Sequence, residues 1–377
     1  MNQIFDNRQT LFTAVVPPCM IMAAAGILLA VGYALCPQTM QGGPVTGVFG
    51  VAGLILVRVA GAVTDNAGFL FAASAAFAYT RHDQTEGALY GVCSFLILSA
   101  LSSSYLVTSI VPSCAELAES LVYLPAPLTG FLCGRFAAGI LNRAGNQSFD
   151  RPRTCLIVLA SAAVVSFVLI GIWMAAWFAV TKVGIVLSDG STSSGALFTV
   201  LNRLLMPFDL HHALNRIVLF QEGSGDLVRY WANQTVDDPG RYMSGFFAPM
   251  MFGLPSIAFY LYRSMSRSAK EKGYLAAAAV CSFLIGFSEP LEFLLFFTMP
   301  GFYVLYCLQY GLFGALTVFS GFRAGFALSG GFCDLIFSAA CPAAAHTWLI
   351  VPLGLLAAVL FYGSCWIVNR IRISKNK

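Results

Sequence analysis

Residues 275–322 read LAAAAVCSFLIGFSEPLEFLLFFTMPGFYVLYCLQYGLFGALTVFSGF, and their only charged side chains are Glu289 and Glu292. A stretch this apolar is buried away from water. At bilayer depth a charged side chain costs at least about 2.5–3.5 kcal/mol on insertion scales. Pro290 also breaks the helical ladder, which a membrane tolerates only where protein or a water-filled cavity re-satisfies the backbone. Gly286-Phe287-Ser288-Glu289-Pro290-Leu291-Glu292-Phe293 is therefore a candidate binding element on energetic grounds alone.

The rest of the chain has the same character. Of 377 residues, 58% are hydrophobic and only 10% charged, and the mean hydropathy is +0.78. Soluble domains carry roughly 25% charged residues. The deficit runs along the whole chain and predicts an all-α polytopic membrane protein, which excludes a soluble or secreted one. Met1 to Thr10 include Asp6 and Arg8 without a basic run, so the first apolar segment reads as a retained helix rather than a signal peptide. Basic residues gather at Arg143, Arg151 and Arg153, at Arg263 to Lys272, and at Arg370 to Lys377. The positive-inside rule assigns these loops and the C-terminus to the cytoplasm. No basic stripe suggests nucleic acid. The eleven cysteines include no CxxC pair, so they read as small buried hydrophobes, not as a disulfide framework or metal cluster.

In order, apolar segments run over 11–35, 45–63, 67–79, 87–111, 121–141, 154–187, 243–262, 274–287, 296–319 and 346–368. Residues 67–79 are short of the roughly 20 that span a bilayer and read as interfacial or re-entrant. Pro249 and Pro255 predict a kink in 243–262. Ser188 to Ser194 is a flexible linker by composition. Twice, at 195–221 and 274–293, a short apolar segment runs into polar or proline-bearing sequence. Interrupted segments of this kind point to a midplane binding site in transporters. The division expected is a scaffold part, 1–187, and a substrate-handling part, 188–377.

Few residues are equipped for chemistry. His211 and His212 follow Pro207-Phe208-Asp209-Leu210; histidine hydrogen-bonds hydroxylated ligands or shuttles protons. An interfacial position at a helix end explains them equally. As a metal site the pair is poor, because adjacent residues do not share a helix face, and no metal or cofactor is expected. His82 falls in a polar loop, and His346 begins the last helix. Glu289 at a break can accept hydrogen bonds from a sugar hydroxyl or act as its general base. Glu292 either joins it or pairs with an arginine such as Arg323 to hold the fold. Arg58, Asp65 and Asn66 are explained by snorkelling or helix capping. Asp334, after a Gly-Gly pair, is structural or lines the cavity. No nucleotide fingerprint or nucleophile motif is visible.

Taken together the motifs resemble a family. GFSEPLEF at 286–293 is similar to the Gly-x-Thr-Glu-Pro-x-Glu-Phe signature of the enzyme IIC permeases of the bacterial phosphotransferase system, glucose superfamily. Asn202-Arg203-Leu204-Leu205-Met206-Pro207 through His211-His212 resembles the family's Asn-Arg-Leu-Leu-Ile-Pro-x-Gly-Leu-His motif. MSGFFAPMMFGLP at 243–255 resembles its Gly-Phe-Phe-Pro-x-Met-Met-Phe-Gly-Leu-Pro motif. Asp65-Asn66 and the stretch Arg323 to Asp334 match further motifs. In three places the sequence departs: Asp209 stands for the usual glycine, Ser288 for threonine and Arg323 for histidine. The family's glycine-rich Phe-Gly-Gly-x-Arg-Phe-Val-Pro stretch is not recognisable around Arg143 to Arg153.

The resemblance implies an elevator-like permease of about ten membrane helices plus re-entrant hairpin segments, dimeric through its N-terminal part, in the bacterial inner membrane. It implies translocation of a hexose or N-acetylhexosamine, phosphorylated at its sixth hydroxyl by a phosphocysteine on a IIB protein, itself charged by IIA. Because the sequence ends at Lys377, a separate IIB is expected. His211 and Glu289 fall on the family's sugar-binding histidine and glutamate, Glu289 with the catalytic role of orienting or polarising the hydroxyl. His212, Glu292 and Arg323 are further substrate-binding candidates. An uncoupled sugar transporter and a membrane sugar sensor of the same fold are the alternatives.

Overall fold

An apolar environment offers backbone groups no water, so each N–H and C=O must find a partner inside its own segment, and helices follow. The computed structural model describes residues 2–38, 43–144, 151–188, 191–234, 238–264 and 269–375. Parts of the turn at 37–44, the loop at 142–153, the linker at 188–194, the basic segment at 263–272 and the basic C-terminus lie outside the described residues. Of the described residues 82% are helical and none lies in a strand. Among the described residues, six helices are long and apolar enough to cross a membrane, or seven if the pair Gln84–Leu101 and Ser104–Ile110, bent by 51°, counts as one span. The protein is thus all-α and polytopic.

Its segments form two compact units, interleaved along the chain. The first comprises Met1–Cys19, Asp65–Val183 and Leu205–Ala213; the second comprises Met20–Thr64, Gly184–Leu204 and Leu214–Lys377. The cut expected between 187 and 188 lies near the boundary at 183/184, but each unit also draws segments from the other side of it.

In the first unit, helices Ala67–Tyr79, Gln84–Leu101 and Pro127–Ala144 pack through small residues. A Cβ on Gly130 would overlap the carbonyl oxygen of Gly68, one on Gly134 that of Ala72, and one on Gly91 would lie 2.5 Å from the Ala76 Cβ. Backbones approach this closely only where side chains are missing, and in membranes such contacts replace hydrophobic driving force with van der Waals packing. Beside them, Phe95, Leu98, Leu121, Leu124, Ile170, Trp173 and Trp177 form a buried cluster. Helix Arg151–Leu187 contributes both tryptophans but also exposes Leu156, Val164, Phe167, Val168, Ile172 and Phe178. A long helix that stays apolar on its exposed face is built for lipid.

In the second unit, Ala25, Leu29, Ala30, Tyr33, Ala60 and Ile285 form a core with Phe287, Leu328 and Phe337 against it. The kink expected at Pro249 and Pro255 is a π-turn over Pro249–Gly253 leading into helix Leu254–Ser264. The Met250 carbonyl accepts the Ser282 hydroxyl at 2.6 Å, which supplies a donor where Pro255 has none.

Several expected boundaries move. The span expected over 296–319 is helix Pro300–Ser320, because Pro300 starts a new helix after the break at Met299. The span expected over 121–141 is helix Pro127–Ala144. The linker at 188–194 is shorter than its composition suggests: helix Thr192–Leu205 begins inside it, and the Ser191 hydroxyl accepts the Ser194 N–H at 3.1 Å. His346 precedes the last helix with φ 49, and that helix runs over Ile350–Lys375. Asn66 takes an N-cap position without a side-chain capping bond to its helix. His82 and Arg58 are exposed, as expected of solvated or snorkelling groups.

The glycine contacts generate a test. Gly130→Val adds three carbons against the Gly68 backbone, and overpacking of this kind costs typically about 1–3 kcal/mol. The variant is expected to melt at a lower temperature than wild type in detergent. Gly139→Val, at a position with nothing within 4 Å of an added Cβ, is expected to melt as wild type does.

Candidate functional site

The break that carries Glu289 and Glu292 lies in the second unit. Helix Ala269–Ile285 ends because Gly286 adopts φ 68, a left-handed conformation that ends helices at little cost only for glycine. Phe287 and Ser288 continue the break, and helix Glu289–Thr298 then starts with Pro290 in its first turn. There proline costs nothing, because the first helical N–H groups lack intrahelical partners anyway. The sequence had placed the break at the proline; the structure places it one turn earlier. Both glutamates consequently lie in the first turn of one helix, where the helix dipole favours a negative charge. Glu289 is half-buried and Glu292 fully buried.

Glu292 forms an ion pair with Arg203 at 3.0 Å, and the side chains are 0% and 9% exposed. The same carboxylate oxygen, Oε1, accepts the Tyr306 hydroxyl at 2.6 Å. That leaves the Tyr310 hydroxyl, 3.1 Å away, to donate to Tyr306. Arg203 also donates from Nη2 to Asn202 Oδ1 at 2.6 Å and from Nη1 toward Ser288 Oγ at 3.4 Å. Asn202 in turn donates to Asn215 Oδ1 at 2.7 Å. The guanidinium lies over the rings of Phe246 and Tyr310, 5.0 and 5.6 Å from their centroids. Oε2 of Glu292 is buried with no hydrogen-bond partner among the described residues, and an unanswered buried acceptor costs roughly 1–3 kcal/mol.

Sequence reasoning offered Arg323 as a partner for one glutamate, and the structure corrects this. Arg323 donates from Nη1 to the carbonyls of Thr317 and Phe322, at 3.1 and 2.9 Å, which caps the end of helix Pro300–Ser320. Its Nη2 reaches Asp238 at 3.4 Å. Asp334 is fully buried. It accepts the Tyr33 hydroxyl at 2.6 Å and the N–H groups of Leu328 and Ser329 at 2.9 and 3.0 Å. The Ser329 hydroxyl then donates to the Gly286 carbonyl at 3.1 Å. A Cβ on Gly286 would stand 2.8 Å from the Gly330 nitrogen. Asp334 thus fixes the Gly330-Gly331 turn against the break that presents Glu289, so of its two possible roles the structural one is occupied.

His211 and His212 belong to the first unit. They open helix His211–Val218, and the chain reaches them through Met206–Phe208 and a left-handed Asp209, φ 56. Their rings lie 4.1 Å apart between centroids. The His212 ring stacks on Tyr123 at 4.3 Å, and Tyr123 stacks on Trp177 at 5.4 Å. Asp209, His211 and His212 each offer a ligand atom, all within 4.8 Å of one another. Both histidines lie in the first turn of that helix, and Asp209, in the turn before it, is the third group.

The sequence reading gave no role to Arg203, Ser288, Tyr306 or Tyr310. The signals existed: Arg203 is the only charged residue in 195–206, and Tyr303, Tyr306 and Tyr310 recur at helical spacing along one face.

The buried pair makes a measurable prediction. Removing one partner leaves an uncompensated buried charge, at a cost of about 3–5 kcal/mol, whereas replacing both by apolar residues of similar volume is often neutral. Arg203→Ala is expected to lower the melting temperature sharply, and Arg203→Met with Glu292→Leu to recover part of the loss, by thermal unfolding in detergent.

Comparison with known proteins follows the same line. The model of the family described as "Phosphotransferase system, EIIC" matches residues 12–311. The chain is 28% identical over 390 residues to "PTS system N-acetylglucosamine-specific EIIC component" of Streptomyces coelicolor, covering 95% of this chain and 89% of that protein. It is 27% identical over 397 residues to "PTS system glucose-specific EIICBA component" of Staphylococcus saprophyticus, covering 96% of this chain and 58% of that protein. A match over most of the chain, on a helical polytopic framework with a carboxylate-bearing break, means that the chain belongs to the phosphotransferase system EIIC family.

Proposed function

We propose that this EIIC protein carries glucose or N-acetylglucosamine across a bacterial inner membrane and presents it for phosphorylation by a phosphorylated IIB, which IIA charges. The family match supports the permease role, and the names of the two relatives support the choice of sugars. The observation that carries the site assignment is the Glu289 carboxylate, half-buried on the first residue of a helix that starts at a break in apolar sequence. A carboxylate so held accepts sugar hydroxyls and polarises the one to be phosphorylated. His211 is assigned to the sugar as a hydrogen-bond partner, with His212 beside it. Glu292 contributes through its idle Oε2. Arg323 is the weakest of the five, because its guanidinium is engaged with Thr317, Phe322 and Asp238. The functional division assigned is a scaffold and dimerisation part, 1–187, and a transport part, 188–377. About ten membrane helices with re-entrant segments, a homodimer and a cytoplasmic C-terminus complete the reading.

Two measurements test it. Glu289→Gln is expected to abolish sugar binding by purified protein while leaving its melting temperature unchanged, and unchanged binding would sink the assignment. Membranes supplied with phosphoenolpyruvate, the general phosphotransferase proteins and a matching IIA and IIB are expected to phosphorylate glucose or N-acetylglucosamine. Sugar binding without phosphorylation by any matched IIB would instead identify an uncoupled transporter.

A further inference from the structure

Asp209 sits at φ 56, ψ 6, left-handed backbone that costs an L-residue about 1–2 kcal/mol and is open at no such cost to glycine. Glycine is also the residue that the motif resembled by this stretch carries here. Aspartate is one of the few L-residues that visits this region, so the turn is tolerated and carries a carboxylate. Asp209, His211 and His212 bring one carboxylate oxygen and two imidazole nitrogens within 4.8 Å of one another, all three residues half-buried.

We propose that Asp209, His211 and His212 form a three-ligand site for a divalent transition metal of the zinc, cobalt, nickel or copper class. The donor set decides the class: imidazole with carboxylate suits these ions, while magnesium and calcium prefer all-oxygen sites. Three protein ligands leave a further position for water or another donor, as in open zinc sites. Ligand atoms around a tetrahedral ion at about 2.0–2.1 Å sit roughly 3.4 Å apart, so atoms up to 4.8 Å apart must close by up to about 1.4 Å. Tyr123 stacks on the His212 ring at 4.3 Å, and Trp177 backs Tyr123 at 5.4 Å. This column restricts the plane in which the His212 ring can turn and so pre-orients its nitrogens. On the reading that His211 hydrogen-bonds the sugar, metal and sugar compete for one imidazole, and the ion acts as an inhibitor of transport.

Cobalt titration of the purified full chain in detergent, followed by visible absorption, tests the site. The eleven cysteines are blocked first with N-ethylmaleimide so that thiolates do not contribute. A saturable site of about one equivalent is expected, weakened by at least about tenfold in both Asp209→Gly and His212→Gln. Asp209→Gly relieves the backbone, so its fold is expected to persist, and its melting temperature checks this. No saturable site in the wild type, or equal affinity in wild type and both variants, overturns the proposal. Sugar binding is then measured with the metal bound. If the metal binds as described and sugar affinity does not change, the assignment of His211 to the sugar fails while the metal site stands.

Discussion

The buried pair of Arg203 and Glu292 is the constraint on which the second unit depends. Each charge alone would be intolerable in its surroundings; together they still require every remaining donor and acceptor to be answered. Asn202, Ser288 and Tyr306 answer most of them, and Phe246 and Tyr310 cover the guanidinium face. Four separate segments are tied by one pair: the helix Thr192–Leu205, the stretch at Phe246, the start of helix Glu289–Thr298, and helix Pro300–Ser320. Glu292 consequently fixes the rotation of its helix, and that rotation decides where Glu289 is presented.

A second layer of constraint acts on the backbone. The break at 286–288 persists because Gly286 takes a left-handed conformation and the Gly330-Gly331 turn, held by Asp334 and Ser329, lies against it. An interrupted helix in an apolar chain is affordable only if such partners replace the lost ladder bonds. Asp334 and Glu292 build the frame, and Glu289, with less burial, is left at its edge.

Much of this was legible in residue order. The apolar runs announced helices and a membrane. The charges isolated at 289 and 292 announced a special segment, and the motifs announced the family. Other features were not legible. Nothing in the spacing of Arg203 and Glu292, or of Tyr33 and Asp334, indicates that they touch, since long-range pairs leave no periodic trace. Arg323 seemed an equally good partner for a glutamate, and only the placement of helix ends sent it to cap Thr317 and Phe322 instead. The two histidines looked divergent under helical geometry. Their rings nevertheless lie 4.1 Å apart at the start of helix His211–Val218, beside a left-handed Asp209.

The sequence by itself determined the helical class, the membrane environment, the family and the segment that carries Glu289, because hydrophobic periodicity and local backbone chemistry are properties of neighbouring residues. Tertiary structure alone decided which charges neutralise one another, where helix Glu289–Thr298 begins in space, and that Asp209 joins His211 and His212. Those outcomes depend on close packing and on satisfying buried polar groups between segments up to three hundred residues apart, as Tyr33 and Asp334 are, and no local pattern encodes them.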